Sequence, residues 1–251
     1  MQLLTAIILT KNEEANIAEA IKSVSWANEI IIVDSFSTDA TLAIAKQFPV
    51  KILQRTFDTH ARQKNWAIQQ ASYSWIFILD ADERVPESLK IEVQNVLKIS
   101  LPAETAFWIG RQNYFMGQLV RYSGWQHDRV IRLFRKDSCW YKEVQVHEEI
   151  ETSGVVGHLT HKLVHYTYHG LRQYLEKWDY YTWLSAQDRG KKTEKVTVYH
   201  LGIKPLIRFF RHYIWFRGFL DGKVGFVISY MAAISVFMRY LKLWRIQEGE
   251  K

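Results

Sequence analysis

Two carboxylates one residue apart, Asp80 and Asp82, follow directly on the apolar run 75–79, and Glu83 comes next. Side chains alternate along an extended chain, so Asp80 and Asp82 would share a side and approach one hard cation with the phosphates it bridges. Such a cation offsets the negative charge that gathers on a departing diphosphate without needing a proton. Spacing alone leaves a plainer alternative, in which Asp82 only caps the helix that Pro86 opens. A further acid, Asp34, closes the apolar run 29–33 and is followed by Ser35, Phe36, Ser37, Thr38 and Asp39. A carboxylate there can accept from a base N–H or a ribose hydroxyl, although the same stretch also suits a turn and helix cap.

These acids need a frame. Apolar runs at 3–9, 29–33, 50–53 and 75–79 read as strands, and the helical periodicity of 13–26, 40–48 and 60–71 separates them. Strands alternating with helices predict an α/β fold whose mostly parallel central sheet is flanked by helices, with ligands at the carboxyl ends of the strands. Beyond residue 103 the pattern is less regular. Strand-like pieces fall at 106–109, 130–134 and 144–150, and a helix is expected over 171–189.

The chain has 251 residues, enough for one large α/β domain with a short appendage rather than two full domains. The expected division is 1–200 for the catalytic domain, with 1–100 on the nucleotide side and 101–200 on the acceptor side, and 201–251 as a helical appendage. The apolar start, 3–9, lacks the basic flank and cleavage site of a secretion signal and reads as a first strand. Cys139 stands alone, which excludes a disulfide framework and a cysteine-based metal site and makes a reducing cytoplasm the default.

The formal charge of +7 is concentrated. Between 204 and 245 stand Lys204, Arg208, Arg211, Arg217, Lys223, Arg239, Lys242 and Arg245 against Asp221 alone, interleaved with Phe209, Phe210, Tyr213, Trp215, Phe216, Phe219 and Trp244. This mixture suits an anionic membrane surface; nucleic acid would fit the charge but is not the expected partner. The uncharged run 224–238 is shorter than the roughly 20 residues a spanning helix needs, so amphipathic helices lying in the interface are expected, with a helical hairpin packed on its own domain as the alternative.

Taken in order, Ile8 to Glu14, Val33 to Asp39, Lys64-Asn65 and Leu79 to Glu83 resemble the family-two inverting glycosyltransferases over about the first hundred residues. The resemblance implies a GT-A type nucleotide-diphospho-sugar transferase fold and a divalent metal, Mg²⁺ or Mn²⁺. It also implies that Thr10 and Glu13 lie beside the nucleotide, that Asp34 contacts the base, and that Lys64 and Asn65 belong to the same donor site. Asp80 and Asp82 match the family's DXD-type motif, with Ala81 between them in the nucleotide-sugar set and His165 similar to a late metal-side histidine. Ser35-Phe36 stands where many members carry Asp-Gly.

Farther along, His147-Glu148 resembles the family's acceptor-side His-Glu element. Inverting transfer needs a carboxylate to take the acceptor proton, and Glu148 is the candidate, with Glu149 and Asp128 as alternatives. The spaced histidines His158, His161, His165 and His169 lie on strand-like sequence, which does not make a compact zinc site. Trp125, Asp128, Arg132, His147 and the stretch 218–225 are similar to bacterial inner-core lipopolysaccharide glucosyltransferases. That implies transfer of glucose from UDP-glucose to a heptose of a lipid-linked saccharide, by an enzyme peripheral on the cytoplasmic face of the inner membrane. Another cell-envelope or capsule polysaccharide is the nearer alternative. A sugar-1-phosphate nucleotidyltransferase lacks its Gly-rich N-terminal loop here, and a non-catalytic membrane-binding protein would have no need of the intact acids.

Overall fold

The computed structural model describes residues 1–100, 102–142, 150–168 and 170–249. They form two compact units, Met1–Arg111 with Arg129–His165, and Gln112–Asp128 with Tyr166–Lys251. This division differs from the expected boundary at 200, for a reason that lies in the second unit and is given below.

The first unit opens with β1 (Leu4–Thr10), α1 (Ile17–Ser23), β2 (Glu29–Asp34), α2 (Thr41–Ala45) and β3 (Lys51–Gln54). It continues through α3 (His60–Gln69), β4 (Trp75–Asp80), β5 (Glu83–Arg84) and α4 (Glu87–Lys98). The long strand β6 (Glu104–Phe115) then leads into the second unit, where β7 (Gln118–Val120) and a 3₁₀ turn (Trp125–His127) follow. The chain returns as β8 (Arg129–Arg135), β9 (Cys139–Tyr141), β10 (Ile150–Thr152) and β11 (Val155–His158), and β12 (Leu163–Tyr168) leaves again. The expected strand at 144–150 falls mostly on 143–149, outside the described residues.

Strands β3, β2, β1 and β4 pair in parallel in that order, the arrangement expected from helices alternating with strands. Beyond them β8 runs antiparallel to β4, and β6 antiparallel to β8. Alternation distributes the core. Leu4, Ala6 and Ile8 of β1 face one layer with Ile30, Ile32, Phe77 and Leu79, packed on Ile17 and Ile21 of α1 and Leu89 and Val93 of α4. Ile7, Ile31, Val33, Ile76 and Ile78 face the other layer, with Ala61, Ala67 and Ile68 of α3. Because both faces are covered, these strands read as continuous apolar runs, and a one-residue slip would exchange the two layers.

The second unit holds α5 (Leu171–Gly190), α6 (Lys204–Phe210) between two π-helical stretches (Tyr199–Ile203 and Arg211–Trp215), a 3₁₀ turn (Gly218–Asp221) and α7 (Gly222–Gln247). The segment after 200 is not an appendage. Ile228 of α7 packs with Phe115 and Val120, while Val236, Tyr240 and Leu243 pack with Ala186 and Val196. The Asp221 carboxylate accepts from the amides of Arg121 (3.0 Å) and Tyr122 (2.9 Å) and from Ser123 Oγ (3.1 Å). A Cβ at Gly225 would stand 1.8 Å from the Gly218 carbonyl oxygen, so the stretch 218–225 is a corner that only glycine closes.

These contacts revise the reading of the C-terminal charges. Lys242 is buried and donates to Asp179 Oδ1 and Thr182 Oγ1, both at 2.7 Å. Arg211, Arg217, Lys223 and Arg245 remain exposed. The uncharged run belongs to a longer helix: the span Gly218–Gln247 is long and apolar enough to cross a membrane by length and composition. Its buried face is spent inside the second unit, on the contacts just given.

Candidate active site

The carboxyl ends of β1, β2 and β4 lie side by side, with Thr10 opposite Asp34 and Leu9 opposite Asp80. Sequence therefore placed Thr10, Asp34 and Asp80 on one sheet edge, and the register brings them there. Thr10 Oγ1 is buried without a hydrogen-bond partner among the described residues. The loops that follow β1 and β2 are stitched together: the Asn12 amide donates to Ser37 Oγ (2.8 Å), the Thr38 amide to Asn12 Oδ1 (2.8 Å), and the Glu13 amide to Thr41 Oγ1 (2.8 Å). Glu13 Oε2 accepts from Asn16 Nδ2 at 2.7 Å, so this carboxylate helps to shape the entry to α1.

Asp34 has no exposed surface. Its carboxylate accepts from the Ser37 amide (3.0 Å), Ser37 Oγ (2.5 Å) and Gln54 Nε2 (3.0 Å). Through these bonds the acid holds the loop after β2. Asn65 is likewise turned inward, donating to the Tyr141 carbonyl and accepting from the Tyr141 amide at 2.8 Å each, which ties α3 to β9. Lys64 is buried, with Nζ 5.0 Å from the centre of the Tyr141 ring.

At the end of β4 the chain turns rather than staying extended, and the two aspartates acquire different neighbours. Asp80 is ion-paired with Arg132. Glu83 is fully buried and accepts from Arg132 Nη2 (2.8 Å), Arg111 Nη1 (3.3 Å) and the Asp80 amide (3.2 Å). Burial works against charge on Asp80, but Arg132 first, then Lys64 and Arg111, outweigh it and hold the carboxyl well below the usual carboxylate range. Burial also opposes the Arg132 charge, and Asp80 and Glu83 raise its pKa beyond the ordinary arginine value. Ala81 is buried, its amide donating to the Leu9 carbonyl at 3.3 Å and its carbonyl accepting from Arg84 Nη1 at 2.7 Å.

Asp82 meets His165, which β12 carries opposite Glu83 of β5, with Nε2 3.7 Å from Asp82 Oδ2. Its other oxygen, Oδ1, is buried and has no hydrogen-bond partner among the described residues. An acceptor left in that state costs free energy unless something fills it. Among the described residues no three His, Cys, Asp or Glu side chains form a metal cluster. Mg²⁺-type sites, however, use one or two carboxylates and take their remaining oxygens from substrate phosphates and water. The Asp82 carboxylate fits that oxygen donor set, with the His165 ring beside it as a nitrogen donor outside the set; Asp80 enters it only by sharing its carboxylate with Arg132. Arg111 escaped sequence reasoning. No local signal marks it: Arg84 stands next to the three acids in the sequence, yet its guanidinium donates to the Ala81 and Glu83 carbonyls, and the cation that meets the Glu83 carboxylate comes from β6.

Other expected positions lie elsewhere. In the second unit, Asp128 accepts from Asn113 Nδ2 at 2.8 Å, and Trp125 packs edge-on against Phe115. His147 and Glu148, with Glu149, lie outside the described residues, as does His169. The His161 amide donates to Glu92, so that residue caps a loop rather than joining His165.

Residues 5–158, more than half of the chain, match the family model of glycosyl transferase family 2. The chain belongs to that family. This family 2 glycosyltransferase is 30% identical to the lipopolysaccharide core biosynthesis glycosyltransferase LpsC of Rhizobium meliloti (strain 1021), over 94% of this chain and 93% of that one. It is 28% identical to an uncharacterized glycosyltransferase of Rickettsia felis, over 97% of this chain and 90% of that one. A crystal structure of glucosyl-3-phosphoglycerate synthase from Mycobacterium tuberculosis, in complex with Mn²⁺, UDP and glucosyl-3-phosphoglycerate, is similar over 45% of this chain and 44% of that one, at 17% identity and a TM-score of 0.37. The α/β sheet described above is the GT-A-like fold of the glycosyltransferase, and the edge carrying Thr10, Asp80 and Asp82 is its candidate active site.

Proposed function

We propose that this glycosyltransferase moves glucose from UDP-glucose to a heptose of a lipid-linked inner-core saccharide, with inversion in a single displacement. The observation that carries the reading is the similarity to LpsC, which runs nearly end to end in both chains and so includes the C-terminal unit. The donor diphosphate lies over the edge of β1, β2 and β4, and Lys64 supplies positive charge beneath it. A bound Mg²⁺ or Mn²⁺ would offset the charge on the leaving diphosphate. Asp82 and His165, with Asp80, would hold it. The acceptor hydroxyl oxygen bonds to the anomeric carbon as the bond to the diphosphate oxygen breaks, and Glu148 takes the hydroxyl proton.

The second unit supports a cytoplasmic-face, membrane-peripheral location. Ile203, Leu206, Ile207, Phe210 and Ile214 recur at helical spacing through α6 and its flanking turns and are all more than half exposed. With Trp215 and Arg211 they line an open groove of about 790 Å³. An apolar stripe of this kind beside the exposed Arg211, Arg217 and Lys223 suits the headgroup boundary of an anionic bilayer.

A donor screen tests the chemistry. Transfer and hydrolysis are measured across UDP-glucose, UDP-galactose, UDP-N-acetylglucosamine and GDP-mannose, with added Mg²⁺ or Mn²⁺ and a heptose-terminated lipid acceptor. Preference for UDP-glucose is expected. Turnover of another donor alone, or on a capsule-type acceptor alone, overturns the assignment of sugar or acceptor.

A further inference from the structure

The loop after β2 holds a bulky residue in a conformation that bulky residues avoid. Phe36 has φ +57°, in the left-handed region, and is 53% exposed. A phenylalanine there pays for the backbone conformation without recovering it by burial. Its neighbours explain how the conformation is enforced. Ser35 Oγ accepts from Gln63 Nε2 at 2.6 Å, and Ser37 is fixed through both its amide and its hydroxyl by the buried Asp34. Asn12 closes the far side of the same loop by donating its amide to Ser37 Oγ. The arrangement leaves an aromatic ring exposed just past the end of β2, one strand from the end of β1, with the small Thr38 as the other exposed side chain between Asp34 and Asp39.

From this we infer that Phe36 is the stacking platform for the base of the donor nucleotide, and that Asp34 is a positioning residue that holds the platform in place. The inference rests on the proposed donor site along the same sheet edge. With the Asp34 carboxylate turned inward, the large exposed group this loop can offer to a base is the ring of Phe36. Stacking on a ring contributes to binding through the base and is indifferent to the phosphates. The contact is made equally in the ground and transition states, so it acts on affinity rather than on turnover.

The test is a titration of the full chain and of Phe36→Gly, Phe36→Leu and Phe36→Trp with UDP, UMP and inorganic pyrophosphate in Mg²⁺, beside thermal melts. Phe36→Gly is expected to bind UDP and UMP about 10-fold or more weakly, to bind pyrophosphate as the parent does, and to melt at the same or a higher temperature because glycine relieves the positive φ. Phe36→Leu keeps apolar bulk but has no ring and should weaken UMP as well, whereas Phe36→Trp should retain it. Parent-like UMP affinity in Phe36→Gly or Phe36→Leu overturns the inference while leaving the donor site standing. The parent chain is also titrated with CDP, ADP and GDP, and a parent that binds none of these nor UDP refutes the donor-site reading itself, and the platform with it.

Discussion

Arg132→Met is the substitution that most directly probes the charge network under the active site. The guanidinium of Arg132 bridges Asp80 and the fully buried Glu83, and is itself 4% exposed. Methionine fills similar space, so packing is largely conserved, but Glu83 is left with Arg111 at 3.3 Å as its remaining charged partner. Removing one member of a buried pair costs about 3–5 kcal/mol, chiefly because the other charge stays behind without compensation. In a chain of this size each kcal/mol lowers the melting temperature by roughly 2–4 °C, so a fall of about 6–20 °C is expected. Urea unfolding at pH 7 should show the same loss as a lower midpoint with an unchanged slope. Adding Glu83→Gln to Arg132→Met should recover part of the loss, since the orphaned charge is then gone. A single variant that loses less than about 1 kcal/mol, or a double variant less stable than the sum of the singles, would refute the reasoning that Arg132 and Glu83 compensate each other in the interior.

Three further outcomes follow from the same structure. Asp82→Asn should leave the melt unchanged and reduce turnover on the order of 10²-fold, roughly 3 kcal/mol, because the amide is no longer a negative ligand; chelator-resistant, parent-like activity would remove Asp82 from the metal site. Ile207→Asp with Trp215→Asp changes only exposed positions, so the protein should fold normally and lose most of its flotation with anionic vesicles, and undiminished flotation would move the membrane contact away from α6. Burial, aided by Arg208 and opposed by a hydrogen bond with the Ser123 carbonyl, lowers the His212 pKa to about 4 from 6.5. Its neutral form is the folded one, so stability present above the unfolded pKa should decline as pH falls from about 6.5 towards 4, and His212→Gln should flatten that acid limb in melts read from a C-terminal tryptophan.

The first hundred residues were legible in the sequence for a reason particular to their strands. β1, β2 and β4 are covered on both faces, so the strands appear as unbroken apolar runs, and each ends where polar loop residues begin. That was enough to expect a mostly parallel sheet and to set Thr10, Asp34, Asp80 and Asp82 at the ends of its strands, while the order β3-β2-β1-β4 came from the structure. Short elements were less visible: α2 is reduced to Thr41–Ala45, and β5, two residues long, exists only because β12 pairs with it. Which way each side chain turns was not legible. Asp34 and Asn65 carry the right chemistry for a ligand, yet their partners, Ser37, Gln54 and the Tyr141 backbone, draw both inward.

What the sequence by itself determined, then, is the α/β order of elements and the acids at the strand ends, because both follow from local periodicity and from the chemistry of individual residue types. Tertiary structure alone decided the company those acids keep. Arg132 and Glu83 are 49 residues apart, and Arg111 and Glu83 are 28 apart; they meet because β8 returns against β4, with Phe77 opposite Leu133. The same holds for the second unit, where Lys242 reads as a surface cation until α7 packs on α5 and gives it Asp179. Charge on a side chain is a property of the residue, but its burial and its partner depend on a strand or helix that arrives from elsewhere in the chain, and no local pattern records that arrival.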